Sequence, residues 1–313
     1  MRIFWILFLF FEFFRIIYTD AQVCHGVKVI VTENGKCIDN FLELAFEDEF
    51  EANSLDVTKW FFVQPWGNHS ERGFNASLEY QTDGLNYEFG DGKLRLAVKN
   101  EKIYAKAVQS LDSNYLLEDG LPNFRGWDYT AGMIFSKQDF GYGKYEMRCK
   151  IPKGKSFWSV FWLFGNDNDE IDVFEFWNSE NVFGKYSEKK LCTEGHMTTH
   201  ANGKMCPSHY TDEDFSKDFH IYSMVWNNNK IEWYVDGKLK RVSYKFYTLL
   251  GQPLDCDQIK ADNFYILDKT YPLHPNLHIG VSIGIQPGKN APDASTPFPS
   301  YLEIDYVRFY KFK

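Results

Sequence analysis

Apolar and polar residues alternate along much of this chain, which predicts β-strands because successive strand side chains point to opposite faces. The alternation is clear in residues 94–98 (LRLAV) and 145–151 (YEMRCKI). Asp236-Gly237 separates two further alternating runs, and this dipeptide is a strong signal for a β-hairpin. After residue 25 no segment has a sustained helical period, and only residues 242–262 are expected to hold a short helix. The pattern therefore predicts an all-β chain.

One predicted strand, residues 170–175, carries three carboxylates among large apolar side chains. Glu170 and Asp172 share one face of this strand, and the apolar residue between them points the other way. Glu175 comes five positions after Glu170, so a regular strand would turn it to the apolar face. One extra residue at Val173-Phe174, a β-bulge, would return Glu175 to the face of the other two, and bulges are common beside active sites. We therefore predict three carboxylates on one strand face.

Like charges on one strand face repel each other, so their grouping indicates a chemical role. Retaining hydrolysis of a glycoside needs two carboxylates roughly 5–5.5 Å apart, one to attack the anomeric carbon and one to donate and then remove a proton. The charge of the first favours the protonated form of the second. Asp172 lies between the two glutamates, where it can hydrogen-bond one of them. The alternatives are an acidic strand that faces solvent and a cation site.

The sequence E-I-D-V-F-E at residues 170–175 resembles the catalytic signature of glycoside hydrolase family 16 in its bulged form, E-x-D-x-x-E. Further segments resemble the same family and follow in the family's order, from an opening strand to a closing one. These segments are residues 46–60, 129–137, 142–152, 157–163, 231–237 and 302–310. The resemblance covers roughly residues 44–311, with no large piece missing.

This resemblance implies that Glu170 is the nucleophile, Glu175 the acid/base and Asp172 an assisting carboxylate. It also implies a jelly-roll β-sandwich of two antiparallel sheets, with a substrate cleft across the concave sheet. No cofactor is expected to be required. A structural calcium ion is common in the family, and Asp305 in the last strand is a weak candidate ligand, for which an ordinary hydrogen-bonded aspartate is the favoured interpretation.

The bulged motif is shared by β-1,3-glucanases and by enzymes of red-algal galactans such as agarose and carrageenan. The resemblance therefore implies a secreted, retaining endo-glycosidase of a β-linked polysaccharide, most of all a β-1,3- or β-1,3/1,4-glucan. Ser159 replaces a proline that glucan-active members often carry, so a galactan hydrolase is an alternative. A non-catalytic carbohydrate-binding protein on the same fold is another alternative, and the presence of all three carboxylates argues against it.

Aromatic residues make up 18% of the chain and are candidates for stacking against sugar rings. Trp177 follows the last carboxylate by two positions, so it is expected on the carboxylate face. Trp158 and Trp162 share a face of another strand, which the resemblance places beside the carboxylate strand. Either tryptophan is predicted to line the cleft, with core packing as the alternative for both.

Four other tryptophans have different surroundings in the sequence. Trp127 and Trp66 lie in loop-like stretches and are expected to be exposed sugar contacts. Trp226 and Trp233 flank the predicted hairpin and are expected to pack between the sheets. Three weaker candidates for substrate contact match positions of the family: His200, Glu79 and Asn86. His196 has the same strand phase as His200.

The first 21 residues resemble a secretory signal, with a basic start, an apolar run over residues 3–11 and a small-residue cleavage site at the end. Glu12 and Arg15 interrupt the apolar stretch, which is too short for a membrane span of about 20 residues. An uncleaved anchor is the alternative. We therefore expect a secreted, periplasmic or cell-surface protein with one glycoside hydrolase domain over residues 22–313.

The formal net charge of −9 argues against a nucleic-acid partner. The polysaccharide is the expected partner, no protein partner is implied, and a monomer is the default. Six cysteines in an exported chain indicate disulfide bonds. The pairings suggested by the sequence are Cys24–Cys37, Cys192–Cys206 and, as the alternative to a buried free thiol at Cys149, Cys149–Cys256.

Overall fold

A computed structural model of the protein describes residues 23–38, 41–65, 67, 69, 78–108, 116, 120, 122–165, 169–180, 189–190, 194–201, 204–211 and 214–313. For residues 179–180, 189–190, 194–196, 200, 207 and 209–211 the description covers the backbone only. The expected signal peptide at residues 1–21 lies outside the described residues, as do Trp66 and Cys192. In the described part of the chain, no helix is long and apolar enough to cross a membrane.

The first of two large sheets, sheet A, has seven antiparallel strands in its described part. The strands that carry the predicted carboxylates and tryptophans lie at its centre. From edge to edge the strands are β17 (Lys204–Thr211), β16 (Glu194–Ala201), β13 (Glu170–Trp177), β12 (Phe157–Phe164), β23 (Leu277–Ile285), β10 (Met133–Phe140) and β3 (Trp60–Phe61).

The second large sheet, sheet B, has ten described strands and is antiparallel except for one parallel pair at its edge. Eight strands follow one another: β20 (Lys238–Tyr244), β19 (Lys230–Val235), β18 (His220–Trp226), β11 (Gly143–Lys150), β24 (Ser300–Phe312), β6 (Lys93–Lys99), β9 (Tyr129–Ala131) and β4 (Glu79–Gln81). Two more strands pair with β24 and β6: β2 (Leu42–Asp48) and β5 (Tyr87–Gly90).

Three smaller sheets lie outside the two large ones. They are β1 (Gly26–Ile30) with β22 (Phe264–Asp268) and β21 (Phe246–Tyr247), β7 (Ile103–Lys106) with β8 (Phe124–Trp127), and β14 (Ser179–Glu180) with β15 (Lys189–Lys190). Two 3₁₀ turns occur at Cys256–Gln258 and Gly288–Asn290. The short helix expected within residues 242–262 is therefore a single 3₁₀ turn, because most of that segment is the connection between strands β21 and β22.

The two large sheets pack face to face around one hydrophobic core, which confirms the predicted β-sandwich. Alternation along the central strands supplies much of this core, because residues on their inner faces are buried in it. Trp226 and Trp233 are 0% and 1% exposed between the sheets, as predicted. The opposite face of sheet A, called here its outer face, carries a second apolar cluster: Met133, Phe135, Val160 and Trp162, with Phe61, Trp158 and Phe164 packed against it.

The disulfide bonds join segments that are far apart in the sequence. Cys24 pairs with Cys206 and Cys37 with Cys256, over separations of 182 and 219 residues. The short-range pairings expected for Cys24, Cys37 and Cys206, and the pairing of Cys149 with Cys256, are therefore wrong. Cys149 is a buried free thiol, and burial raises its pKa well above the ordinary value.

Candidate active site

The predicted bulge is present in β13. Against β12, Phe174 pairs with Phe161 and Asp172 with the next residue, Trp162, so Val173 is the extra residue. On the other side, two residues of β13 lie opposite Met197 of β16, between the Asp172–Thr198 and Glu175–His196 pairs. The bulge that the sequence required is therefore confirmed at Val173-Phe174.

The bulge brings all three carboxylates to the outer face of sheet A. Along β12 and β13, Glu170 lies opposite Phe164, Asp172 opposite Trp162 and Glu175 opposite Val160. Three residues of β13 instead enter the core with 0% exposure: Ile171, Phe174 and Phe176. Side chains that a regular strand would have divided between two faces are thus grouped in one place.

Glu175 is held by neighbouring side chains on this face. Its Oε1 accepts hydrogen bonds from Nε1 of Trp158 at 3.2 Å and from Nε1 of Trp177 at 3.3 Å. Its Oε2 accepts from the hydroxyl of Thr198 at 3.5 Å. The residue is buried, at 8% exposure, and these three hydrogen bonds fix the direction of its carboxylate. Such a geometry suits a group that exchanges a proton with a bound molecule.

Asp172 is 1% exposed and Glu170 is partly exposed at the start of β13. On the core side of this region lies a buried cation, Arg241, with 7% exposure. Burial lowers the pKa of Arg241 to about 10, and the ionisable groups of Tyr247, Asp268 and Asp172 act in the opposite direction. Arg241 therefore stays protonated at neutral pH and places a positive charge behind the carboxylates.

The residue before Glu170 fixes the start of the strand. Asp169 is 3% exposed, and its Oδ2 accepts hydrogen bonds from the backbone N–H groups of Leu273 and His274 at 2.8 and 3.0 Å. The Nδ1 of His274 lies 3.0 Å from the same oxygen. Because this contact ties β13 to a loop 104 residues away, the sequence motif alone did not assign Asp169 a role.

Trp158 and Trp177 form an aromatic pair beside Glu175. They are register partners across β12 and β13, their ring centroids are 5.3 Å apart at an interplanar angle of 53°, and both are partly exposed. Two tilted indoles that also donate to Glu175 can stack against a sugar ring placed over the carboxylate. This arrangement bears out the predicted strand phase of both tryptophans.

Trp162 is 7% exposed and packs more deeply on the same face. Its ring lies over Gly280 of β23, where an added Cβ would be 2.3 Å from Nε1 of Trp162 and 2.8 Å from Cε2 of Phe135. Only a glycine leaves room for this indole. Trp162 thus lines the outer face opposite Asp172 while most of its surface contacts protein.

We expect Gly280→Ala to lower the free energy of unfolding by about 1–3 kcal/mol, because the new methyl group overpacks against Trp162 and Phe135. The measurement is the denaturant midpoint of the variant against the wild type. Gly284→Ala is the matched control on the same strand, since its Cβ would meet Glu79 Oε1 at 3.1 Å and a tryptophan ring only at 3.6 Å. Equal loss in the two variants would show that the Trp162 contact is not the cause.

His200 and His196 occupy register positions beside the carboxylates. In β16, His200 lies opposite Glu170 and His196 opposite Glu175, and the description of both histidines covers the backbone only. Thr198, which lies between them in the same phase, is the residue that donates to Glu175. The sequence analysis did not select Thr198, although its phase in β16 was a usable signal.

Three other predicted substrate contacts, Trp127, Asn86 and Glu79, are buried within the protein. Trp127 is 4% exposed on β8, its Nε1 donates to the carbonyl of Ala105, and Arg125 covers its ring, so the expected exposed loop position is wrong. Asn86 is fully buried, and its amide donates to Ala97 O and Thr130 Oγ1. The structure therefore gives Asn86 a scaffold position and not one on the outer face.

Glu79 is 1% exposed at the edge of the outer face. Its Oε2 accepts from the backbone N–H of Ile285 at 2.8 Å and its Oε1 from Gln81 at 3.2 Å. The bond from Ile285 joins β4 of sheet B to β23 of sheet A, next to Gly284 and its register partner Trp158. Glu79 thus links the two large sheets through a buried hydrogen bond.

The residues do not fit a calcium ion at Asp305. Its Oδ2 accepts a hydrogen bond from Arg148 at 2.5 Å, and an arginine in that place opposes a bound cation. Among the described residues there is no group of three or more acidic, histidine or cysteine side chains that could hold a metal ion. The weak calcium assignment is therefore not supported.

Comparison with known proteins identifies the family. The model of glycosyl hydrolases family 16 matches residues 75–254, more than half of the chain. Glucan endo-1,3-beta-glucosidase A1 of Niallia circulans is 28% identical over 86% of this chain, which spans only 38% of that protein's length. A beta-glucanase of Rhodothermus marinus is 27% identical over 86% of this chain and 85% of its own. The structure of an endo-beta-1,3-glucanase from Pyrococcus furiosus superposes with a TM-score of 0.61 at 26% identity, over 87% of this chain and 95% of its own. The predicted family is confirmed: the chain belongs to glycosyl hydrolases family 16.

Proposed function

We propose that the chain is a retaining endo-glycosidase that hydrolyses β-1,3-glucan or mixed β-1,3/1,4-glucan by double displacement. The observation that carries this proposal is the bulge of β13, which groups Glu170, Asp172 and Glu175 on one sheet face. A structural role does not account for three carboxylates on one face, whereas glycoside hydrolysis needs a pair of them. The relatives above are named as a glucan endo-1,3-beta-glucosidase and a beta-glucanase, and this supports a β-glucan as the substrate.

In the proposed first step a carboxylate oxygen of Glu170 attacks the anomeric carbon. The glycosidic C–O bond breaks, and Glu175 gives its proton to the departing oxygen. This step yields a glycosyl ester of Glu170 and a free chain end. In the second step Glu175 takes a proton from water, the water oxygen attacks the same carbon, and Glu170 is released. Two inversions at one carbon retain its configuration.

The surroundings of the two glutamates support this division of roles. Glu175 accepts hydrogen bonds from Trp158 and Trp177, which hold its carboxylate beside the aromatic pair where a sugar ring would stack. Glu170 is partly exposed at the start of the strand and follows the residue, Asp169, that anchors it. Asp172, buried between them, takes the assisting role.

The proposed place of action is outside the cytoplasm. Two long-range disulfide bonds support an oxidising compartment, because such bonds are rare in reducing ones. The proposal includes a cleaved signal over residues 1–21 and a single hydrolase domain over residues 22–313 that acts as a monomer.

The proposed function is tested by reducing-sugar release from laminarin, mixed-linkage β-glucan, agarose, κ-carrageenan and xyloglucan, with Glu170→Gln as the blank. We expect release from laminarin or the mixed-linkage glucan by the wild type alone. Release from agarose or carrageenan would instead establish a galactan hydrolase. Binding to any of these polymers without release would establish the non-catalytic protein and overturn the proposal.

A further inference from the structure

We propose that Trp233, from the opposite sheet, is a positioning residue that holds the bulge of β13 and thereby sets the placement of Glu175 relative to Glu170. This inference rests on the proposed function, and it concerns a residue with no exposure to substrate. Trp233 lies on β19 of sheet B and is 1% exposed in the core. Its part in the site would therefore be exerted entirely through the backbone of β13.

The contact is a hydrogen bond across the sandwich. The indole Nε1 of Trp233 donates to the backbone carbonyl of Asp172 at 2.9 Å. In a regular strand a carbonyl points within its own sheet toward a neighbouring strand. The carbonyl of Asp172 immediately precedes the extra residue of the bulge, Val173, and it reaches a donor on the other sheet. The bulge disrupts the ladder at this point, and Trp233 supplies a donor there.

A second side chain acts on the strand that faces the bulge. Arg241 is the register partner of Trp233 on β20, and its guanidinium lies 4.7 Å from the centre of the indole ring. One of its nitrogens donates to the backbone carbonyl of Met197, the residue of β16 opposite the two bulged residues. The stacked Trp233–Arg241 pair therefore contacts the backbone on both sides of the bulge.

These contacts have a consequence for the chemistry. Without the extra residue Glu175 would turn toward the core, so any relaxation of the bulge moves its carboxylate away from Glu170. Retaining hydrolysis requires a fixed and short separation between the two carboxylates. A buried carbonyl that loses its donor favours such relaxation, because it must find another partner. Trp233 would thus set the separation between Glu170 and Glu175, although it lies in the core and not on the outer face of sheet A.

The test is Trp233→Phe, which keeps an aromatic ring under Arg241 and removes the donor together with part of the buried indole. We expect kcat to fall about 10- to 100-fold, as for small displacements of catalytic groups, while KM changes less than about threefold because Trp158 and Trp177 are kept. The alkaline limb of the pH profile should move to lower pH, since a more distant Glu170 favours the protonated form of Glu175 less. Trp226→Phe is the matched control, a buried tryptophan of the same sheet whose ring packs on Tyr142.

Amide hydrogen exchange over residues 170–177 gives a readout that does not need activity. We expect faster exchange in Trp233→Phe than in Trp226→Phe. Equal exchange and an unmoved pH limb in an active enzyme would overturn the inference, whereas a wild type inactive on every polymer would overturn the proposed function alone. If Trp233→Phe does not fold, Trp233→Met is measured in its place. It fills the core with a flexible apolar side chain and has no N–H to donate to Asp172, and an unmoved limb with unchanged exchange would again overturn the inference.

Discussion

Glu170→Gln is expected to lower turnover on the polymer by about 10⁴-fold or more, equivalent to about 5 kcal/mol of activation free energy. An amide has nearly the shape of the carboxylate but is a poor nucleophile, so the covalent intermediate does not form. Binding should be retained, because the aromatic pair of Trp158 and Trp177 is unchanged. The measurements are kcat on the polymer that the wild type hydrolyses and the dissociation constant for an oligosaccharide of it.

The control for this prediction is Glu232→Gln, the same substitution on sheet B, where the carboxylate pairs with Lys230. Glu232→Gln should leave kcat unchanged, because this partly buried ion pair lies on sheet B and takes no part in the chemistry. Wild-type turnover in Glu170→Gln would exclude Glu170 as the nucleophile. Lost binding in the same variant would show that the substitution disturbs the site more widely.

Glu175→Ala is expected to lower turnover on the polymer by about 10²–10⁴-fold, the usual contribution of a general acid/base. A polymer has a poor leaving group and needs the proton that Glu175 donates. An aryl glycoside with a good leaving group needs it less, so the first step should proceed and the glycosyl-enzyme should accumulate. Azide should then restore turnover, since it attacks this intermediate without a base and fits the space that the side chain vacates.

The product of rescue separates the two glutamates. Azide attack on the intermediate of Glu175→Ala passes through a second inversion and yields a glycosyl azide with the β configuration of the substrate. In a Glu170→Ala variant azide replaces the nucleophile itself, so a single inversion yields the α-azide. The anomeric configuration is read by NMR. The opposite assignment of products would exchange the roles of Glu170 and Glu175. Activity of both variants without azide would show that neither glutamate has its proposed role.

The site shows which features could be predicted from the residues of a single strand. Glu170 and Glu175 are an odd number of positions apart, so a regular strand would place them on opposite faces. Grouping them with Asp172 on one face required an extra residue at Val173-Phe174, and the strand register confirms it. This inference succeeded because the face of a side chain depends only on its position within its own strand. The same reasoning placed Trp177 on the carboxylate face, whereas Trp158 was placed near it by the family resemblance.

The same local patterns failed where the answer depended on which segment covers a residue. Trp127 was expected to be exposed in a loop, yet it is buried on β8 under Arg125. Asn86 was expected near the cleft, yet its amide is enclosed by β6 and β9. Neither the burial of Trp127 and Asn86 nor the identity of the residues that contact them is determined by their sequence neighbours.

The sequence by itself determined the all-β class, the bulged strand, the grouping of three carboxylates and the family. These features follow from periodicity and from short motifs, which act over a few residues. The tertiary structure alone decided the disulfide pairs Cys24–Cys206 and Cys37–Cys256, the anchoring of Asp169 by a distant loop and the hydrogen bond from Trp233 to the bulge. Each of these joins residues 61 to 219 positions apart. Such contacts depend on how the two sheets stack, and stacking is set by the packing of the whole core.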